Sequence, residues 1–442
     1  MANSETLLDA LRSGPLSAAD LYQRLGVSQP TLSRWARGCG ATILRLGQAR
    51  QSRYFRRREI GGVSRYALYR VTQAGLLEQW GMLNPVMAQG YVVEHPTQPR
   101  LEYFEGLPWY MQDMRPQGFL GRAFARRHAA RLGLPEEVNL WSDDQTLRAL
   151  AALGDDCVGD LLVGEEAASA FLAQPAPAAL APLLRPSAYP RLAALALAGE
   201  TAGSSAGGEQ PKFTANVLHN GAAAPVLVKF SAPDDNAGSA RWRSLLVCEH
   251  LALQILGEAG LPVSRSELVM AGNQVFLELQ RFDRIGARGR IGIVSLKSLD
   301  DAFVGLTANW PRTTETLLRG KHITAAAHDQ TQRLYAFGAL IGNSDMHFGN
   351  LSFLHDGVRP LSLAPAYDML PMHFAPRSSG HIPTDLPPLN LKTDPPLPVW
   401  RAMLPLAHDY WQRVADHPLI GDEFRGIADG MRGRVGEMMT RV

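Results

Sequence analysis

The sequence predicts an α+β protein: a mixed strand-and-helix body behind a small N-terminal winged helix-turn-helix domain. Three observations lead there. Residues 1–70 hold 12 arginines, no lysine and four acids (+8), whereas the other 372 residues hold 32 basic and 38 acidic groups (−6). Inside that basic head, two short amphipathic runs flank a tight turn, and an arginine-rich hairpin pattern follows. Beyond residue 200, strand-like runs such as APVLVKF and QVFLELQRFDR stand beside a long helical run, RSLLVCEHLALQILGEAG.

The head reads element by element. TLLDALRSG is a helix with Leu7, Leu8 and Leu11 on one face, ended by Gly14-Pro15. In LSAADLYQRLG, Ser17 is the expected N-cap, Leu21 and Leu25 are spaced i, i+4, and Gly26 breaks the helix. In VSQPTLSRWARGCG, Ser28 caps a second helix, Pro30 fits its first turn, and Leu32 with Trp35 or Ala36 faces inward. Two helices joined around Gly26 have helix-turn-helix spacing. The second would present Gln29, Thr31, Ser33, Arg34 and Arg37 to a major groove. TILRLGQARQSRYFRRR then forms a hairpin turning near Gly47, whose Arg50, Arg53, Arg56, Arg57 and Arg58 would meet phosphates. DNA is the partner this head implies; the plainer alternative is a solvated charged face on a helical adaptor.

The rest of the chain is that of a folded globular protein, and its 442 residues suggest about two to four domains. Cys39, Cys157 and Cys248 are far apart and form no C-x-x-C pair, which argues against a zinc ribbon or disulfide framework and fits a reducing cytoplasm. No basic segment followed by an apolar run marks a signal peptide. The most apolar stretch, LAALALAG at 192–199, is too short to cross a bilayer, so no membrane partner is expected. Residues 67–95 alternate apolar runs with turns, as a small β-rich insert would, and a helix is expected from about 119 to 132. The Ala- and Pro-rich stretch 173–190 reads as a linker or extended cover, and the proline-rich stretch 382–400 as an ordered surface loop.

Four pieces carry the chemistry. GSSAGGEQPKF (203–213) has the small residues that let a backbone approach a ligand and form an anion nest, although no G-K-[ST] follows as in a Walker A loop. APVLVKF (224–230) places Lys229 near a strand end, within reach of phosphates. QVFLELQRFDR (274–284) is a strand entering a connection whose backbone at Gln280–Phe282 would meet an adenine edge. NSDMHFGNLSF (343–353) packs Asp345, His347 and Asn350 into six positions, and LAPAYDMLP follows with Asp368. Phosphoryl transfer needs such a set: one carboxylate to position a hydroxyl, and an amide oxygen with a second carboxylate to hold Mg2+. All-oxygen ligands suit Mg2+ better than zinc. Taken singly, each residue also has a plain reading, Asp and Asn as turn residues and His347 as a core histidine.

In this order, SSAGGEQPK, VLVKF, ELQRFDR, NSDMHFGN and PAYDMLP resemble the HipA family of bacterial toxin serine/threonine kinases, over about residues 200–430. EGLPWYMQDMRPQGFLGRAF is similar to that family's small N-terminal subdomain, and the basic head brings the chain nearest the YjjJ-like branch, in which a DNA-binding domain is fused to the kinase. The resemblance implies a two-lobed protein-kinase-like fold with a winged helix-turn-helix at 1–62, a small subdomain and linker at 63–190, a kinase N-lobe at 191–284 and a helical C-lobe at 285–442. It implies ATP and Mg2+ as cofactors. Asp345 would be the catalytic aspartate, His347 would order its loop, and Asn350 and Asp368 would bind Mg2+. Lys229, paired with Glu249, would hold phosphates, with Gln210, Lys212, Gln280 and Phe282 as further ATP contacts. Ser205, seven residues before Lys212 and next to Ser204, would be the autophosphorylated serine. A protein substrate, an aminoacyl-tRNA synthetase in characterised relatives, and an antitoxin partner or a homodimer are implied in the same way.

Two departures stand out: Glu209 occupies a loop position where the family has a small residue, and Gln280 stands where some relatives have glutamate. Two other functions fit the same residues. One is a DNA-binding regulator whose kinase-like body senses nucleotide without transferring phosphate; the other is a metal-dependent hydrolase using Asp345, His347 and Asp368.

Overall fold

The computed structural model describes residues 2–47, 52–95, 98–175, 178–199, 208–306 and 308–442. The head contains α1 (Ala2–Ala10), β1 (Leu16–Ser17), α2 (Ala18–Leu25), α3 (Gln29–Gly38), β2 (Ile43–Leu46) and β3 (Arg53–Arg56), the strands pairing in the order β1-β3-β2. Ser17 caps α2 as its sequence requires. Its hydroxyl accepts the Asp20 N–H at 3.1 Å while the Asp20 carboxylate accepts the Ser17 N–H at 3.2 Å. Gly26, at φ 63, closes the same helix in the left-handed region. Leu7, Leu11, Leu21, Leu32 and Tyr54 form the core beneath them.

The arginines at the end of β3 differ from expectation. Arg57 donates to Glu94 at 2.9 Å, Arg58 grips Asp144 through both guanidinium nitrogens, and Arg56 donates to the Leu8 carbonyl at 3.0 Å. Arg57 and Arg58 staple the head to the following domain, Arg56 is held within the head, and none of the three is held out for phosphates. Buried guanidinium groups need partners, and the acids of the next domain supply them.

That domain is an antiparallel sheet of β4 (Tyr66–Val71), β5 (Leu77–Val86), β6 (Gly90–His95), β7 (Gln98–Phe104) and the later β8 (Leu161–Val163), ordered β7-β6-β5-β4-β8. Between β7 and β8 run α4 (Gly118–Leu132) and α5 (Asp143–Leu153); α6 (Gly164–Ala173) follows β8. Residues 185–190, expected to be part of a linker, instead begin α7 (Arg185–Leu197). Tertiary packing overrides the two prolines there: Tyr189 is fully buried against Phe213 and Phe276.

The body that follows has two lobes. The first is the sheet β9 (Lys212–His219), β10 (Ala222–Phe230), β11 (Ser266–Ala271) and β12 (Gln274–Gln280), in the order β11-β12-β10-β9. The helix α8 (Ala237–Glu258) connects β10 to β11. A short hairpin, β13 (Arg284–Ile285) and β14 (Gly289–Arg290), leads to the second lobe. That lobe holds β15 (Ile293–Ser295), α9 (Leu296–Phe303), α10 (Trp310–Arg319), α11 (Ala325–Leu340), β16 (Ser352–Leu354), β17 (Ser362–Leu363), α12 (Leu397–Asp416) and α13 (Asp422–Arg441). One continuous core runs from Tyr66 and Tyr91 of the middle sheet through α8 to Trp400 and Trp411 of α12. The body and the middle domain are further locked by Arg284, which donates to Asp156 at 2.9 Å and to Asp283 at 2.6 Å. Among the described residues no helix is long and apolar enough to cross a membrane.

Candidate active site

Strand period places the first functional side chains. Val226, Val228 and Phe230 of β10 point into the core under α7, so Leu227 and Lys229 face the other way, into a cleft between the lobes. There the Lys229 ammonium lies 2.7 Å from both carboxylate oxygens of Glu249, a fully buried residue of α8. The same ammonium bonds Asp368 from the other lobe. Burial opposes the Lys229 charge, but Asp368 and Glu249 outweigh it and hold its pKa above the usual value. Burial and the charge of Asp368 push Glu249 up in spite of Lys229. Asp368 is itself penalised by burial, yet Lys229 and Lys212 bring it below the usual carboxylate value. Lys212, buried and near a second ammonium, is pushed down to about 8.

The stretch between α11 and β16 forms a loop held by its own polar groups. Asn343 donates to the Asp368 carbonyl at 3.2 Å and accepts the Asp345 N–H at 3.0 Å. Asn350 donates its amide to the Asp345 carbonyl at 2.8 Å, which turns its oxygen the other way. His347 accepts the Gly349 N–H at 3.0 Å through Nδ1, and its carbonyl accepts the Trp310 indole N–H at 3.2 Å. Tyr367 donates to the Gly349 carbonyl at 2.8 Å, tying the residue before Asp368 to this loop. Asp345 stays exposed beyond the network, with its pKa raised by partial burial and by Asp368, against His347.

These groups border one cavity of about 260 Å3. Lys212, Lys229, Gln280, Phe282, His347, Asn350 and Asp368 line it, as expected together; Glu249 backs Lys229, and Asp345 and Gln210 lie outside the lining. The Gln210 amide nitrogen is buried without a hydrogen-bond partner. Two of the backbone N–H groups at Gln280–Phe282, where a nucleobase is expected, already have partners. The Gln280 N–H is bonded to the Arg265 carbonyl at 2.8 Å and the Arg281 N–H to the Pro225 carbonyl at 3.0 Å. Ser204 and Ser205 lie outside the described residues. The Asn350 oxygen and the Asp368 carboxylate are hard donors on one wall, and they fit Mg2+. Among the described residues, no group of three or more His, Cys, Asp or Glu is placed to hold a metal ion.

Glu209 also has a partner that its sequence position did not suggest. It pairs with Arg122 of α4 at 2.5 Å, and the Gly208 carbonyl beside it accepts the Phe119 N–H at 3.0 Å. A side chain at Gly118, which sits at φ 61, would collide with the backbone of Gly208. In the head, Gln29, Arg34 and Arg37 of α3 are exposed and Thr31 and Ser33 partly so. Arg53 is exposed and lies over the rings of Tyr103 and Phe55, while Arg50 falls outside the described residues.

Comparison with known proteins decides the family. The chain is 39% identical to Toxin YjjJ of Escherichia coli (strain K12) over 437 residues, 99% of this chain and 98% of that protein. It belongs to the YjjJ-like toxin family. Residues 63–172 match the model of the YjjJ-like toxin middle domain, and residues 204–414 match that of the HipA-like C-terminal domain. The cleft described above falls largely within the second range, and α4 within the first. Two solved structures are also similar. One is a complex of the Shewanella oneidensis MR-1 toxin–antitoxin system, HipA with HipB and operator DNA (13% identity, TM-score 0.49, 84% of this chain and 97% of that chain). The other is the Helicobacter pylori proinflammatory kinase CtkA (15% identity, TM-score 0.37, 52% and 93%).

Sequence reasoning missed three contributors to the cleft. Asn343 and Tyr367 stood in the quoted motifs, but their roles depend on folded contacts. Asp113, from the middle domain, lines the cavity from a segment 182 residues before its partner Ser295.

Proposed function

We propose that this toxin-family chain is an ATP- and Mg2+-dependent serine/threonine protein kinase of the HipA type, working in the cytoplasm with a DNA-binding head. The observation that carries this is the meeting of Lys229, Asp368 and Asn350 on one cavity, with Glu249 behind Lys229 and Asp345 bonded to Asn350 through its carbonyl. Lys229 would bind the phosphates of ATP and Asp345 would orient the attacking hydroxyl, taking its proton as its oxygen bonds the γ-phosphorus and the bond from that phosphorus to the bridging oxygen breaks, releasing ADP. Asn350 and Asp368 would hold Mg2+, which when bound neutralises charge on the transferring phosphoryl group. Asn343 and His347 keep these groups in register by fixing the loop.

The exposed arginines of α3 support a winged helix-turn-helix that places this helix in a major groove. Ser205 is the proposed site of autophosphorylation, a separate protein the substrate, and an antitoxin or a second copy the regulatory partner. Wild-type protein incubated with γ-labelled ATP and Mg2+ should carry label on serine, and EDTA should prevent it. Absence of both ATP binding and label would overturn the kinase reading.

One contact favours a second reading. Lys229 occupies a carboxylate oxygen of Asp368 that a metal would use, as in a nucleotide sensor that transfers nothing. Thermal stabilisation by ATP without any phosphorylated product, together with ATP-dependent operator binding, would select it.

A further inference from the structure

Part of the cavity wall belongs to neither kinase lobe. Asp113, Gln117 and Val158 come from the middle domain, and all three line it. Asp113 is the chemically unusual member. Its Oδ2 accepts the Ser295 N–H at 2.6 Å and the Ser298 hydroxyl at 3.0 Å, and its Oδ1 accepts the Ser295 hydroxyl at 2.7 Å. These bonds hold Ser295, the N-cap residue of α9, and fix the carboxylate without exhausting it, since two carboxylate oxygens offer about four acceptor sites. Burial pushes its pKa up, and the serine donors only partly offset this. A tether alone could sit anywhere along the interface; this one opens onto the cleft.

Resting on the nucleotide-binding reading above, we infer that Asp113 is a nucleoside-binding residue, accepting a hydrogen bond from a donor group of the bound nucleoside. Charge decides which part of the nucleotide it meets. A carboxylate repels a triphosphate, which Lys229 and Lys212 attract on the same cavity. What remains for Asp113 are the neutral donors of ATP, its ribose hydroxyls and its adenine amine. A fixed, part-buried acceptor disfavours an analogue lacking the donor, because the acceptor site facing the cleft is then left unfilled. The middle domain would thereby take part in nucleotide selection.

Affinities of the full-length protein for ATP, 2′-deoxy-ATP, 3′-deoxy-ATP and purine riboside triphosphate, measured by calorimetry, test this. Wild type should bind one analogue about tenfold more weakly than ATP, and the weak one identifies the donor. Asp113→Asn should weaken ATP about five- to tenfold and erase that discrimination. Ser298→Ala, which removes one tether bond and leaves the carboxylate, should keep it. A uniform loss for all four nucleotides in Asp113→Asn, or unchanged discrimination, would overturn the inference and leave the kinase reading standing. If wild type binds no nucleotide, that reading and this inference fall together.

Discussion

Lys229 of β10 and Glu249 of α8 meet behind the wall of the cleft with both carboxylate oxygens 2.7 Å from the ammonium, and neither side chain is open to water. Removing one partner of a buried pair strands the other, at a cost of about 3–5 kcal/mol. Here the two removals are unequal. Glu249→Gln leaves Lys229 with Asp368, whereas Lys229→Met strips two carboxylates of the ammonium that bonds both, with Lys212 remaining near Asp368. Urea unfolding should give Lys229→Met the lower midpoint. Equal midpoints would mean that Asp368 contributes nothing to the cluster.

Asp345 offers the opposite case, an exposed acid whose loss should touch catalysis alone. Asp345→Asn should lower phosphotransfer by roughly 10²–10⁴-fold, the usual worth of a positioned base, while leaving the melting temperature within about a degree. Label transfer and calorimetry on the same preparation check both halves. Unchanged transfer would remove Asp345 from the mechanism.

Lys212 predicts a pH dependence of stability. Its folded pKa is lowered from 10.5 to about 8, chiefly by burial. Below pH 8 it is charged in both states and the folded protein bears the full cost of burying it. Between 8 and 10.5 the unfolded chain binds more protons, so this residue makes stability rise with pH. Lys212→Met should be more stable than wild type near pH 7, by up to about 3 kcal/mol, with the gap closing by pH 10. A gap independent of pH would contradict the assignment.

In the head, the arginines divide into two classes. Arg34→Ala and Arg37→Ala should each weaken DNA binding and lower the slope of log affinity against log salt by about one if the residue meets a phosphate. Arg58→Ala breaks the bidentate contact with Asp144 and should instead loosen the head, at about 2 kcal/mol of stability. Salt titrations of a fluorescent operator fragment and limited proteolysis separate the two. A salt-slope change in Arg58→Ala with no new cleavage would return that residue to the DNA face.

Much of the head and the cleft was legible because it is written locally. Ser17 and Asp20, three residues apart, make their capping box, and the alternation in VLVKF puts Lys229 on the cleft face. The unread parts depend on distant partners. Arg57 and Arg58 look like a phosphate clamp until Glu94 and Asp144, 37 and 86 residues away, fold against them. Asp113 and Arg122 carried no local signal either, since their chemistry appears only when the middle domain meets the kinase lobes. The start of α7 was hidden by prolines, whose local cost is outweighed by burying Tyr189.

Asp368 sits at φ 52, a backbone region that asparagine and aspartate tolerate and most other residues enter only with strain. The position is therefore constrained twice, once by the proposed ligand chemistry of its side chain and once by the shape of its main chain. An alanine scan there would confound the two losses in a single number. Asparagine keeps the turn while removing the charge, and glycine keeps the turn while removing the side chain. Compared with each other, these two variants separate a metal ligand from a hinge.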